Sequence, residues 1–166
     1  MDVMEVLKKR RSIRAFEDKE IDTADLEAIV EAGSFAPTAR NIQPWKFVIV
    51  RDKKVLKEIA QLAENGRFIA DSMACIALFC EETKYYLEDG CAATANILNA
   101  AVSLGIGSCW VAGDKKPYCP QISKLLAAPS GLKLVSLIAL GYPQDKDAFH
   151  PVDRKPLKEI LHWEKF

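Results

Sequence analysis

The 166-residue chain has few of the groups that enzymes use to do chemistry unaided. Its two histidines, His150 and His162, lack ligand spacing to cysteine or carboxylate, so no dedicated metal site is expected. There is no G-x-S-x-G elbow, no Walker loop and no Cys–His pairing pattern. The five cysteines, Cys75, Cys80, Cys91, Cys109 and Cys119, are odd in number and contain no C-x-x-C pair. Cys75 and Cys80 would share a strand, too far apart to bridge at about 3.3 Å per residue. Free thiols in a reducing cytoplasm are the simplest account. Excess charge is missing as well. The formal net charge is zero, which removes any global argument for a nucleic-acid or membrane partner. No apolar run reaches the length of a bilayer crossing, and Met1-Asp2-Val3 opens no apolar signal segment. A cytoplasmic protein is expected. If it is an enzyme, a bound cofactor carries the chemistry.

Hydrophobic residues make up 49% of the chain, enough for a real core in a single domain spanning 1–166. The stretch Ala36-Pro37-Thr38-Ala39-Arg40-Asn41-Ile42-Gln43-Pro44-Trp45 stands out. Pro37 and Pro44 fix φ and remove two donors, which stiffens the loop between them. Asn41 and Gln43 carry amides that both donate and accept, which suits the edge of a heteroaromatic ring. A plain structural turn before a strand explains the same residues. Upstream lies Lys8-Lys9-Arg10-Arg11-Ser12-Ile13-Arg14. Cations at a helix C-terminus suit the helix dipole. Five of them with a hydroxyl within seven residues also match what a phosphate needs. Non-specific RNA binding fits poorly, because the cluster has no interleaved aromatics.

Periodicity supplies the elements. Asp2 caps a short helix with Val3, Val6 and Leu7 on one face. A second helix opens at Asp22, buries Leu26, Ile29 and Val30, and closes at Gly33. Residues 47–50 do not alternate and read as a strand covered on both faces. Residues 53–63 form an amphipathic helix, and 74–80 a second buried strand. The helix over 89–104 is apolar nearly all round and belongs at the centre. Its Thr94, Asn96, Asn99 and Ser103 are expected to bond internally. Its alanines allow close approach, for example by the same helix of a second subunit. Gly105 is an αL cap. The following run through Gly113 leaves a helix and enters a strand, the reverse of a dinucleotide fingerprint. Gly113 ends that strand and lets backbone approach a ligand. Residues 121–126 form a short helix and 132–141 another buried strand. Pro156 opens a last helix carrying Leu157, Ile160 and Leu161. The aromatic tail 162–166 is expected to dock, with a partner subunit as one place for it.

Arg10-Arg11-Ser12-Ile13-Arg14-Ala15-Phe16, the loop from Ala36 to Trp45, Gly105-Ile106-Gly107-Ser108-Cys109-Trp110, and Gly141-Tyr142-Pro143 with Arg154-Lys155-Pro156 together resemble the FMN-dependent nitroreductase family. The motifs span nearly the whole chain. The resemblance implies an α+β fold with a central mixed, largely antiparallel sheet between helices, in an intertwined homodimer with FMN at the interface. It implies that Arg10, Arg11, Ser12 and Arg14 hold the phosphate and ribityl chain, and that Arg154 and Lys155 complete the anion site. Asn41, with Gln43, would address the isoalloxazine edge. Pro37, Thr38 and Ala39 would cross from the other subunit, and the backbone of Ala112 and Gly113 would lie beside flavin N5 and O4. NADH or NADPH would deliver hydride, and a nitroaromatic, quinone or similar acceptor would take the electrons, in a ping-pong reaction. No side chain is assigned as catalytic. The chain is shorter than many relatives, and Ala112 stands where some carry an acid, so the acceptor stays open. Tyr85 and Tyr86 suit either a reduced lid or an ordinary surface boundary. A flavin-binding or redox-partner protein, and a dehalogenase-like or flavin-fragmenting relative, are the alternatives.

Overall fold

The computed structural model describes residues 1–166. Strands β1 (Trp45–Val50), β2 (Ala74–Glu81), β3 (Gly107–Ala112) and β4 (Leu132–Gly141) form one sheet in the order β1-β2-β4-β3. All three neighbouring pairs are antiparallel. The parallel component of the expected mixed sheet is a single bridge between Ser12 and Ser108. Helices α1 (Val3–Lys9), α2 (Thr23–Ser34), α3 (Lys53–Leu62), α4 (Tyr86–Ser103) and α5 (Cys119–Leu125) flank it.

The inner strands explain the layering. On β2, Ala74, Ile76, Leu78 and Cys80 meet Leu26 and Ile29 of α2 and Ala93, Ile97 and Ala101 of α4. Cys75, Ala77 and Phe79 face Leu56 and Ile59 of α3 and Ile122 of α5. A strand buried on both faces has no polar residues to alternate with, which is why it reads as a continuous apolar run. Cys75 and Cys80 fall on opposite faces, and all five thiols are free.

Several expectations change. β1 is an edge strand whose Ile49 is 37% exposed, because neither face of an edge is fully covered. Gly33 is the penultimate residue of α2, one short of its end. A Cβ there would meet Ile97 Cγ1 at 2.8 Å, so the glycine allows α2 and α4 to approach closely. α4 begins at Tyr86, three residues earlier than expected. Of its polar groups, Thr94 Oγ1 donates to Gly90 O at 2.8 Å, Asn96 Nδ2 to Ala32 O at 3.1 Å and the exposed Ser103 Oγ to Ala100 O at 2.7 Å, whereas the Asn99 side chain makes no such bond. Gly105 has φ +73° and fills the αL role. α5 starts earlier, at Cys119, with Pro120 in its first turn. Past Pro156 there is only the 3₁₀ turn Leu157–Glu159, and Trp163 and Phe166 touch no core.

β4 carries one irregularity of consequence. Leu78 pairs with Ser136 but Phe79 with Leu134, so Val135 is an extra, bulged residue. Gly90 and Gly113 both pack on it. A Cβ at Gly113 would lie 2.5 Å from Leu134 O and 2.7 Å from Val135 O, and backbone cannot withdraw as a side chain can. The close approach at Gly113 is therefore to β4. Gly113→Ala should lower stability by about 3 kcal/mol or more. Gly131→Ala, at φ +91° with open space around it, should cost only the left-handed backbone penalty of about 1–2 kcal/mol. Urea midpoints of the two variants check the ranking, and equal losses would remove the steric account.

Candidate functional site

The N-terminal arm builds the first part. Asp2 caps α1, accepting from Glu5 N at 2.9 Å, and Arg10 ends the helix. The chain then crosses the sheet edge. Ile13 N donates to Ser108 O at 2.9 Å, Glu17 N to Tyr142 O at 2.8 Å, and Gln144 Nε2 to Phe16 O at 2.9 Å. These bonds hold Arg11, Ser12 and Arg14 against the turn after β4, across a cleft of about 220 Å³ closed by Pro143, Asp145 and His150. Lys9 is paired with Glu5, but Arg10, Arg11 and Arg14 have no carboxylate partner. Asp145 also lines the cleft, and it accepts from Asp147 N at 2.9 Å. Beneath the arm, Ser108 Oγ is buried without a partner. Burial pushes the Cys109 thiol up, while the guanidinium of Arg14, the Ser12 side chain and Arg10 pull it down. Arg154 and Lys155 are exposed and do not line this cleft.

β3 leads from the arginine cluster to the second part. From Ser108 to Ala112 the chain advances about 13 Å at ~3.3 Å per residue. Alternate residues of an antiparallel edge strand turn their backbone groups outward. Ser108 O, bonded by the N-terminal arm, marks the outward set, which includes Ala112. Gly113 belongs to the inward set, and its N–H donates to Val135 O at 2.9 Å. Of the two amides expected beside a ligand, Ala112 N–H is thus the outward one. Ala112 O accepts from the Tyr118 hydroxyl. Just beyond, Tyr86 OH donates to Asp114 Oδ1 at 2.6 Å, and this bond to the carboxylate pushes the phenol up to about 12. Tyr86 is therefore a strut between α4 and the end of β3.

The proline-bounded loop is the third part. Its exposed residues Arg40, Asn41 and Gln43 have φ of 55°, 56° and 52°. Left-handed backbone costs a non-glycine residue roughly 1–2 kcal/mol and persists only where the surroundings hold it. The holder is Asp89, 5% exposed, in the first turn of α4. Its Oδ2 accepts from Thr38 Oγ1 at 2.8 Å and its Oδ1 from Ala39 N at 3.2 Å. Thr38 Oγ1 in turn accepts from Gln43 N at 3.1 Å, and Gln43 Nε2 donates to Asn41 Oδ1 at 3.0 Å. A helix N-terminus favours the negative charge. Asp89 adds to the burial that raises the neighbouring Cys80 thiol to about 12.

The loop and the end of β3 share the first turn of α4 but stand at opposite edges of the sheet. The arginine cluster lies near the far end of α4. Pro37 is exposed, and Thr38 and Ala39 are half-buried at the Asp89 contact. Sequence reasoning missed Asp89, although its place in the series 89, 93, 97, 101 of the buried stripe was a usable signal. The largest groove, about 780 Å³ between α2 and β1 over Trp45, Phe47 and Ile49, contains none of these groups. No helix is long and apolar enough to cross a membrane.

Comparison with known proteins identifies the family. The model described as "Nitroreductase family" matches residues 7–74, and the one described as "Putative TM nitroreductase" matches residues 60–166. A "Putative NADH dehydrogenase/NAD(P)H nitroreductase" of Archaeoglobus fulgidus is 34% identical over 99% of each chain. An iodotyrosine deiodinase of Thermotoga neapolitana is 26% identical over 95% of this chain and 94% of its own. The solved structure of an FMN-dependent nitroreductase from Clostridium difficile superposes with a TM-score of 0.90 at 27% identity, covering 98% of this chain and 99% of the other. With family matches running from the arginine arm to the C-terminus, and relatives similar over their full length, this chain belongs to the nitroreductase family.

Proposed function

We propose that the chain is an FMN-dependent oxidoreductase that uses NADH or NADPH to reduce nitroaromatic, quinone or similar electron-poor acceptors. One observation carries the reading: unpaired guanidinium groups at one end of β3 and an outward amide at the other. That arrangement suits an elongated ligand with an anionic tail and a flat, polar-edged head. FMN is such a molecule, and the names of the A. fulgidus and C. difficile relatives point the same way.

The donor set fits the group. Arg10, Arg11, Ser12 and Arg14 offer charged forks and a hydroxyl to the phosphate and ribityl chain. Arg154 and Lys155 add to this anion site once the exposed C-terminal segment docks. Asn41 and Gln43, tied to Thr38 in the same loop, address the ring edge from a second copy of the chain. FMN held by these residues would supply the redox chemistry, hydride transfer from a nicotinamide and electron transfer to the acceptor in alternate, ping-pong half-reactions. Ala112 N–H offers a fixed dipole to the edge where negative charge builds during reduction. Orientation and electrostatics are the protein's share, and no side chain is needed as acid or base.

The working unit is a homodimer in which Pro37, Thr38 and Ala39 of a second copy complete each site. Exposed apolar groups at both ends of the chain support this, including Val3 at 74%, Met4 at 60%, Leu157 at 66% and Trp163 at 76% exposure. Reductive dehalogenation of an aromatic amino acid is a second reading, favoured by the T. neapolitana relative.

The purified protein should be yellow and dimeric. It should oxidise NAD(P)H with menadione or nitrofurazone, giving parallel lines in double-reciprocal plots. Bound FMN without turnover would mark a flavin-binding or redox-partner protein, and iodide release from iodotyrosine would favour the dehalogenase reading. Arg14→Ala should weaken FMN binding by roughly 10–100-fold, the value of about 1.5–3 kcal/mol for a charged hydrogen bond, and added salt should deepen the loss. Unchanged flavin occupancy in that variant would remove the assignment of the arginine cluster.

A further inference from the structure

The loop from Pro37 to Pro44 presents its amides in a backbone conformation it would not keep by itself. Arg40, Asn41 and Gln43 are all left-handed, and the side chains of Asn41 and Gln43 are exposed and bonded to each other. Only one buried charged group reaches this loop. Asp89 takes the Thr38 hydroxyl and the Ala39 amide, one on each carboxylate oxygen. The Thr38 oxygen that donates to Asp89 also accepts from Gln43 N. A continuous chain of hydrogen bonds thus runs Asp89, Thr38, Gln43, Asn41, from the first turn of α4 to the solvent-facing amide. A carboxylate can accept both donors at once. An amide side chain in its place keeps one acceptor, and an apolar one keeps none.

We propose that Asp89 is a positioning residue: through Thr38 and Gln43 it sets the Asn41 amide at the angle from which it addresses the flavin ring. This rests on the flavin reading above. Asp89 touches neither cofactor nor substrate in this scheme. It acts by selecting one conformation of a strained loop, together with the turn bonds from Asn41 N to Thr38 O and from Ile42 N to Ala39 O. The arginine cluster and this loop are separate segments, and in the dimer read above the loop reaches the ring from the second copy, so phosphate binding and ring positioning are separable. Loss of Asp89 should loosen the flavin ring while the phosphate remains held.

The test compares Asp89→Ala, Asp89→Asn, Thr38→Val and Thr38→Ser with the wild-type dimer, using FMN itself as the probe. In Asp89→Ala and Thr38→Val the FMN dissociation constant should rise less than tenfold. The fluorescence and absorbance band shape of the bound flavin should move toward those of free FMN. Thr38→Ser should restore the wild-type spectrum, and Asp89→Asn should fall between. The double variant Asp89→Ala/Thr38→Val should be no worse than either single one, because both break the same bond. In the flavin-free proteins, amide exchange at Ala39 and Gln43 should be slow in wild type and fast in Asp89→Ala and Thr38→Val. Should Asp89→Ala fail to fold, Thr38→Val carries the same reading without touching the buried acid. Wild-type flavin spectra and wild-type exchange in the folded variants would overturn the proposal while leaving the flavin reading intact. A wild-type protein that ignores FMN would overturn both. Slow exchange at Ala39 in that protein would then show a loop anchor and nothing more.

Discussion

A buried carboxylate at the start of an eighteen-residue helix holds the candidate site in shape. Placing an ionised acid out of water is costly unless donors and a favourable field meet it. Asp89 has both: two donors from the loop before β1, and the positive end of α4. One turn away, Tyr86 ties the same helix end to the residue after Gly113. The first turn of α4 is therefore the joint between two segments that leave the sheet at opposite edges. Each segment is short and only partly buried.

The sheet beneath explains why that joint is rigid. Bulging Val135 places two successive residues of β4 toward α4, and Gly90 and Gly113 are the positions where other backbones come in over it. The bulge turns the end of β3, and glycine lets the strands approach to distances a Cβ would forbid. The inner strands are apolar on both faces and lie in two well-filled layers, so they provide a fixed base. Polar function is confined to the periphery: the N-terminal arm, the loop before β1 and the outward groups of β3.

Such a division suits chemistry done by a bound group. The chain supplies unpaired cations, outward dipoles and oriented amides, and its thiols are buried or raised above their ordinary range. A protein that only orients and polarises has no need of a nucleophile poised for attack. What it does need is precision in the placing of neutral and cationic donors. That places the demand on hydrogen-bond chains such as Asp89–Thr38–Gln43–Asn41.

Much of this was legible in the order of residues. The apolar runs at 74–80 and 132–141 mark the buried strands, and a stretch apolar nearly all round over 89–104 marks α4. The Arg10–Arg14 cluster and the amides between Pro37 and Pro44 stand out as the polar segments of the chain. These are local signals, written by neighbours within a turn or a pleat. Packing decided the rest. Asp89 and Thr38 are 51 residues apart, and nothing near either one says that they meet. Whether Ala112 or Gly113 turns its amide outward depends on the register with β4 and on a bulge that hydrophobic pattern does not reveal. Gly33 marks the end of α2 within one residue, but that a second helix comes close there is not visible in the sequence. Composition and periodicity select the elements because burial of apolar surface is additive along the chain. Hydrogen-bond partners and close backbone contacts are set only when the elements pack in three dimensions.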